Sequence, residues 1–125
     1  MVLGIGIDIC DVQRMRRQLA SPATGFVASV FLPAEIAACA PTRHPAQHFA
    51  ARFAAKEAVL KSLAAAGGEG SFWHDIEVLQ APDGRPGVAL HGRLEQLAAG
   101  LGVRRIHLSL SRTAGTATAV AIAED

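Results

Sequence analysis

The sequence contains no tyrosine and one tryptophan, and aromatic residues make up only 5% of its 125 positions. Single-stranded bases stack on aromatic side chains, so this scarcity argues against a nucleic-acid-binding platform. An excess of one charge is missing as well, because 12 Lys and Arg stand against 11 Asp and Glu, for a net charge of +1. A protein that coats nucleic acid would be strongly basic. We therefore expect no nucleic-acid partner.

Cysteines are few, and long apolar runs are missing. Cys10 and Cys39 form no Cys-x-x-Cys pair and no Cys/His cluster, which excludes a disulfide scaffold and favours two buried thiols in a reducing compartment. The first ten residues lack a basic start and contain Asp8, so they do not resemble a signal peptide. Because no apolar run reaches the length of a bilayer, we expect a cytoplasmic protein without membrane contact.

What the chain does have is enough apolar material for a core. Half of its residues are hydrophobic and the mean hydropathy is +0.27, which excludes intrinsic disorder. Its length suits one domain, and we expect residues 1–125 to form it.

The hydrophobic pattern predicts strands and helices in mixed order. Strands are expected at 2–9, 76–79, 88–90, 106–111 and 116–123. Helices are expected after Asp11, within 26–39, at 47–66 and around Leu94, Leu97 and Leu101. Turn residues at 82–86 and 112–115 make the last two pairs of strands antiparallel hairpins. Because this order is not an alternating βαβ pattern, the fold class is α+β.

Asp8 is a carboxylate within an apolar strand. Burying it is costly unless something compensates its charge. One interpretation leaves Asp8 at the strand end, in water or capping the next helix. The other makes it a ligand of Mg²⁺, an ion that binds one or two protein carboxylates together with substrate phosphates.

The long helix carries four charged side chains close together: Arg52, Lys56, Glu57 and Lys61. Glu57 and Lys61 have the favourable order and spacing for an ordinary surface salt bridge. However, these charges border the apolar stripe, while alanines occupy much of the opposite face. That arrangement favours the rim of a site or of a subunit interface.

The end of the penultimate strand and the first helix are the remaining polar features. Ser111, Arg112 and Thr113 provide hydroxyl and guanidinium donors at a tight turn, which suits a phosphate. Ordinary strand-end polarity is the simpler alternative. The first helix carries three arginines, Arg14, Arg16 and Arg17. They are either a solvated face or a surface that steers an acidic partner.

Together and in this order, the motifs resemble the holo-acyl-carrier-protein synthase family, the small bacterial type of 4′-phosphopantetheinyl transferases. The matching blocks are GIGIDI at 4–9, FLPAE at 31–35, RFAAKEA at 52–58, IEVL at 76–79, GRP at 84–86 and LSLS at 108–111. The RFAAKEA block, followed by Lys61, is the most specific of them. The resemblance covers essentially the whole chain.

The resemblance implies a fold in which a small antiparallel sheet packs with one long central helix and shorter helices. It implies transfer of 4′-phosphopantetheine from coenzyme A to a serine of an apo acyl carrier protein, within fatty-acid synthesis. The reaction depends on Mg²⁺ and releases adenosine 3′,5′-bisphosphate. The resemblance also implies a homotrimer that binds coenzyme A between protomers.

The resemblance assigns roles to individual residues. Asp8 and Glu57 match the Mg²⁺ ligands and, with Lys61, the catalytic residues; Lys61 also matches a phosphate contact. Arg14 and Arg17 fall where the family docks the acidic carrier protein. The residues that match coenzyme A contacts are Arg52, Lys61, Gly67, Pro86, Ser111, Arg112 and Thr113. Either Glu57 or a metal-bound water takes the proton of the carrier serine, and the sequence leaves this choice open.

Three positions depart from the family pattern. Arg112 replaces a common histidine, which keeps the positive charge but not the ability to transfer a proton. The glycine turn after the lysine is displaced to 67–70, and His44 stands where an arginine is common. These departures leave alternatives: a transferase for a specialised carrier, a non-catalytic relative that binds coenzyme A or a carrier protein, or a purely structural trimer.

Overall fold

The computed structural model describes residues 1–65 and 72–125. Its strands are β1 (Val2–Asp11), β2 (Ile76–Gln80), β3 (Pro86–Leu90), β4 (Arg105–Arg112) and β5 (Thr116–Glu124). Its helices are α1 (Val12–Leu19), α2 (Phe26–Val30), α3 (Pro33–Cys39), α4 (Pro45–Ser62) and α5 (Gly92–Gly100), with 3-10 turns at Pro22–Thr24 and Trp73–Asp75. The predicted α+β class is confirmed.

The strands form two antiparallel sheets. In the larger sheet the order is β1–β5–β4, and β2 and β3 form a separate hairpin. The central strand β5 pairs Val120 with Ile7 of β1 and with Ser109 of β4. Both predicted hairpins, β2–β3 and β4–β5, are therefore confirmed.

Helix α4 packs on the inner face of the larger sheet, against β1 and β5. The inward residues of β5 are all alanines, with Ala117, Ala121 and Ala123 completely buried. The facing helix contributes alanines too, including the fully buried Ala54 and Ala58. Small side chains on both surfaces let the helix and the sheet approach closely, and dispersion contacts between them form the core.

Two glycines bring β1 directly onto α4. A Cβ atom at Gly4 would lie 1.9 Å from the carbonyl oxygen of Ser62, and one at Gly6 would lie 1.9 Å from that of Ala58. No larger residue fits between these backbones, so the glycines are needed for the close approach and not for a turn. Asp8, the next inward residue of β1, is thereby placed beside α4.

The outer face of the larger sheet is apolar and exposed. Ile5, Ile7 and Ile9 of β1 are 66%, 60% and 68% exposed, and Val120 and Ile122 lie beside them on β5. A contiguous apolar surface of this kind indicates an interaction site. In the described ranges, no helix is long and apolar enough to cross a bilayer.

The structure corrects two boundaries and one helix face. Helix α4 ends at Ser62 instead of Ala66, and Ala66 lies outside the described residues. In α5 only Leu94 of the three predicted leucines is buried, since Leu97 is 37% exposed and Leu101 is 52% exposed. Leu101 follows the last residue of the helix, where its side chain no longer shares the inner face.

The prediction that Lys56 borders a site was wrong. Its side chain is completely buried, and its Nζ lies 2.7 Å from Oε1 of Glu35, which is also buried. A charge can occupy the interior because this partner and three backbone carbonyls surround the ammonium. Helical spacing placed Lys56 at the edge of the apolar stripe but could not show that α3 and β2 cover that edge.

Candidate active site

A groove of about 450 Å³ lies where the end of β1 meets α4 and α1. Asp8 from β1 and Glu57 and Lys61 from α4 line it. The two helical residues are one turn apart and therefore project to the same side. The structure thus brings together the three residues that the sequence predicted as catalytic.

Lys61 connects the two elements. Its Nζ donates to Oδ1 of Asp8 at 3.1 Å and to the carbonyl oxygen of Ile7 at 2.9 Å. Asp8 is not the cap of α1, because Asp11 takes that position and accepts from the backbone N–H of Arg14 at 2.9 Å. Asp8 therefore faces the groove, 18% exposed, with Lys61 as its partner.

The carboxylates of the groove carry an electrostatic cost. Burial raises the pKa of Glu57, the negative charge of Asp8 raises it further, and Lys61 opposes both effects. A divalent cation would offset this repulsion. Two carboxylates are a small set of protein ligands, and Mg²⁺ commonly binds such a set because it keeps sites for water and substrate phosphates. The residues present therefore fit Mg²⁺.

The outer part of the groove combines cationic and apolar groups. Arg14 lies at its edge, while Met15, Phe26 and Phe53 form an apolar wall. The rings of Phe26 and Phe53 are 5.6 Å apart. Sequence reasoning assigned no site role to these aromatic residues, because an apolar side chain near a helix stripe looks the same whether it faces a core or a groove. Arg17 is exposed one turn further along α1.

A second cleft, of about 230 Å³, lies between α4, the β2–β3 hairpin and the end of β4. It collects Arg52, Pro86 and Arg112, three of the residues predicted to contact coenzyme A, and adds His48. Arg112 Nη2 lies 3.4 Å from Nε2 of His48. Burial lowers the pKa of His48, and the neighbouring Arg112 lowers it further. Because this part of the lining has basic groups and no carboxylate, it suits an anion.

The sequence analysis did not select His48. Its spacing of four residues from Arg52 was a usable signal, since residues at this spacing share a helix face. The groove residues Glu57 and Lys61 lie on the opposite side of α4 from His48 and Arg52, given about 100° of rotation per residue. One helix thus serves two separate binding surfaces.

The other predicted contacts lie elsewhere. Ser111 is on the outer face of the sheet, paired with Thr118, because side chains alternate along β4 and Arg112 takes the inner side. Thr113 Oγ1 accepts from the N–H groups of Gly115 and Thr116 and so holds the β4–β5 turn. Gly67 lies outside the described residues.

Comparisons with known proteins agree with this arrangement. Residues 4–121 match the sequence model of the 4′-phosphopantetheinyl transferase superfamily. A holo-[acyl-carrier-protein] synthase of Koribacter versatilis is 44% identical over 125 residues, covering 100% of both chains.

Solved structures show the same fold. A Neisseria meningitidis holo-[acyl-carrier-protein] synthase superimposes with a TM-score of 0.87 at 29% identity, covering 100% of both chains. A Helicobacter pylori synthase, solved in complex with coenzyme A, gives a TM-score of 0.83 at 27% identity, covering 96% of this chain and 99% of its own. The groove residues Asp8, Glu57 and Lys61 thus occur in a chain that belongs to the 4′-phosphopantetheinyl transferase superfamily.

Proposed function

We propose that this protein is an Mg²⁺-dependent holo-[acyl-carrier-protein] synthase. It transfers 4′-phosphopantetheine from coenzyme A to a serine of an apo acyl carrier protein and releases adenosine 3′,5′-bisphosphate. The observation that carries this proposal is the convergence of Asp8, Glu57 and Lys61 in one groove. The name and full-length similarity of the Koribacter relative support it.

The chemistry follows from the groove. Asp8 and Glu57 would hold Mg²⁺, which when bound supplies Lewis-acid stabilisation of charge on the diphosphate oxygens. The serine oxygen forms a bond to the β-phosphorus, and the bond to the bridging oxygen breaks with its electron pair leaving on adenosine 3′,5′-bisphosphate. Lys61 places positive charge beside that leaving oxygen, and a Glu57 carboxylate oxygen takes up the serine proton.

The second cleft supplies the other end of coenzyme A. The diphosphate belongs to the groove with the carboxylates, so the 3′-phosphate is the anion left for Arg52 and Arg112. Pro86 and the turn before it form a wall on which the nucleotide can rest. Replacement of the family's histidine by Arg112 keeps a cation at this position.

We further propose a homotrimer with shared sites. The groove and the cleft lie on opposite sides of α4, so one coenzyme A reaches both types of surface most simply between two protomers. The exposed isoleucines Ile5, Ile7 and Ile9 provide an apolar surface for the contact. The number three rests on the family resemblance.

The carrier protein is proposed to dock on α1. Arg14 lies at the edge of the groove, and Arg17 is exposed one turn further along the helix. Their charge complements an acidic carrier and speeds its encounter with the site. We place the reaction in the cytoplasm and assign it to one domain spanning residues 1–125, and the free thiols of Cys10 and Cys39 support a reducing compartment.

A transfer assay tests the proposal. The protein is mixed with coenzyme A, Mg²⁺ and a panel of apo carrier proteins from fatty-acid and specialised pathways, and intact masses are recorded. We expect a gain of one phosphopantetheine, abolished by a chelator and lowered at least about 100-fold by Asp8→Asn or Glu57→Gln. Glu95→Gln, an exposed carboxylate on α5, is the matched control and should retain activity.

The alternatives give different results. A gain only on specialised carriers would reassign the partner but keep the reaction. Coenzyme A binding without transfer to any carrier would contradict the proposal and favour a non-catalytic relative.

A further inference from the structure

The buried ion pair between Glu35 and Lys56 is not part of either binding surface. Lys56 Nζ contacts Oε1 of Glu35 at 2.7 Å and donates to the carbonyl oxygens of Val30 at 2.9 Å, Trp73 at 2.8 Å and Ile76 at 2.8 Å. The pair therefore ties α4 to α3, to the end of α2 and to the start of β2.

The same carboxylate reaches a substrate-binding residue through one peptide unit. Glu35 Oε2 accepts from the backbone N–H of Val78 at 3.0 Å. The carbonyl oxygen of Val78 in turn accepts from Nη1 of Arg52 at 2.5 Å. Arg52 thus hangs from a strand position whose N–H is held by a buried charge.

Stability alone is a weak reason for this arrangement. Removing two charges from water is costly, and apolar residues of similar volume often replace a buried ion pair with no loss of stability. Arginine has many rotamers, and its contribution to binding depends on how far its guanidinium is preorganised. A charge that holds the Val78 peptide reduces the freedom of Arg52 before substrate arrives.

We propose that Glu35 is a positioning residue, which acts through the Val78 peptide to aim Arg52 at the 3′-phosphate of coenzyme A. This inference rests on the proposed function, which assigns that phosphate to the cleft containing Arg52. It predicts that losing the Glu35 acceptor weakens the binding of substrates that carry the phosphate and spares those that lack it.

The test uses a pair of matched double variants. Glu35→Met/Lys56→Met removes both buried charges and the acceptor for Val78. Glu35→Gln/Lys56→Met removes the same charges but retains an amide oxygen as acceptor. For each, kcat and KM are measured with coenzyme A and with 3′-dephospho-coenzyme A, and thermal unfolding verifies the fold. Glu95→Gln serves as the surface control.

We expect the Met/Met variant to raise KM for coenzyme A about tenfold, as the loss of one charge-assisted hydrogen bond would. Its kcat, and its KM for 3′-dephospho-coenzyme A, should stay within about twofold of the wild-type values. The Gln/Met variant should return KM for coenzyme A to within about threefold of wild type. Adding Arg52→Ala should cancel the difference between the two variants, because both act through Arg52.

An equal rise of KM for both substrates, or a difference that persists beside Arg52→Ala, would overturn the inference and leave Glu35 a structural residue. If Met/Met does not fold, the Gln/Met variant decides alone. Its weaker acceptor should then raise KM about threefold for coenzyme A only, and no such rise would overturn the inference.

Failure of the proposed function is recognisable separately. A wild-type protein with equal KM for the two substrates would overturn the assignment of the cleft and this inference with it. A wild-type preference for coenzyme A that the Met/Met variant retains would overturn the inference alone.

Discussion

Replacing Gly6 with alanine tests how the fold builds the catalytic groove. The added Cβ would lie 1.9 Å from the carbonyl oxygen of Ala58 and 2.8 Å from the backbone nitrogen of Ser62. Ordinary contact begins at 3.4 Å, so β1 and α4 must separate by about 1.5 Å, the difference between that limit and 1.9 Å. Because backbone atoms form the far side of the contact, no rotamer change can relieve it.

The separation has two measurable costs. Overpacking usually costs 1–3 kcal/mol, and a clash with backbone belongs at the upper end, so we expect a loss of about 3 kcal/mol and a fall in Tm of roughly 12 °C. The shift also moves Asp8 away from Lys61, which now lie 3.1 Å apart. Misplacing a catalytic group by about 1 Å costs about 100-fold in rate, so kcat/KM should fall by at least that factor.

The assay combines a thermal melt with the initial rate of carrier modification, measured well below the Tm of the variant. Gly100→Ala is the control, since a Cβ there meets nothing within 4 Å, and it should be neutral or slightly stabilising. A Gly6→Ala protein with the wild-type Tm and rate would refute the conclusion that β1 rests on the backbone of α4.

Three further predictions concern the surfaces of the protein. Ile7→Lys places a charge on the exposed apolar sheet face and should shift the assembly to monomers, lowering transfer at least about tenfold; sedimentation velocity and the rate assay measure both, and an unchanged oligomer would contradict the proposed interface. Arg17→Glu should lower kcat/KM for an acidic carrier about tenfold at low salt and far less at high salt, with kcat nearly unchanged, whereas a salt-independent loss would argue against steering. The pKa of His48 is lowered in the folded protein, so between that value and the ordinary 6.5 the unfolded chain binds more protons, and this contribution to stability is lost as the pH falls through that window. Denaturant midpoints at pH 7.5 and pH 5.5 should therefore differ less in His48→Gln than in wild type, and an equal difference would contradict the assignment.

Local patterns in the sequence were sufficient for most of the fold. Alternating apolar residues defined β4, Asp11 marked the start of α1, and the glycine-free alanine run marked α4. These signals depend on backbone periodicity and on short-range hydrogen bonds, so they need no knowledge of distant residues. The end of α4 and the inner face of α5 were less well predicted, because tertiary packing decides where a helix stops and which leucines it buries.

The candidate site divides in the same way. Asp8, Glu57 and Lys61 were found from their residue types, their spacing and the family resemblance. Sequence alone determined the fold class, the catalytic residue types and a buried state for Cys10 and Cys39, because these follow from side-chain chemistry and period.

Only the tertiary structure decided the partners. It paired Lys61 with Asp8 instead of Glu57, buried Lys56 against Glu35, added His48 to the cleft and turned Ser111 to the other side of the sheet. Each outcome depends on which distant segment covers a given face. Segments far apart in sequence meet only after the chain has collapsed, and the free energy of burying a charge depends on those neighbours instead of on the residue itself.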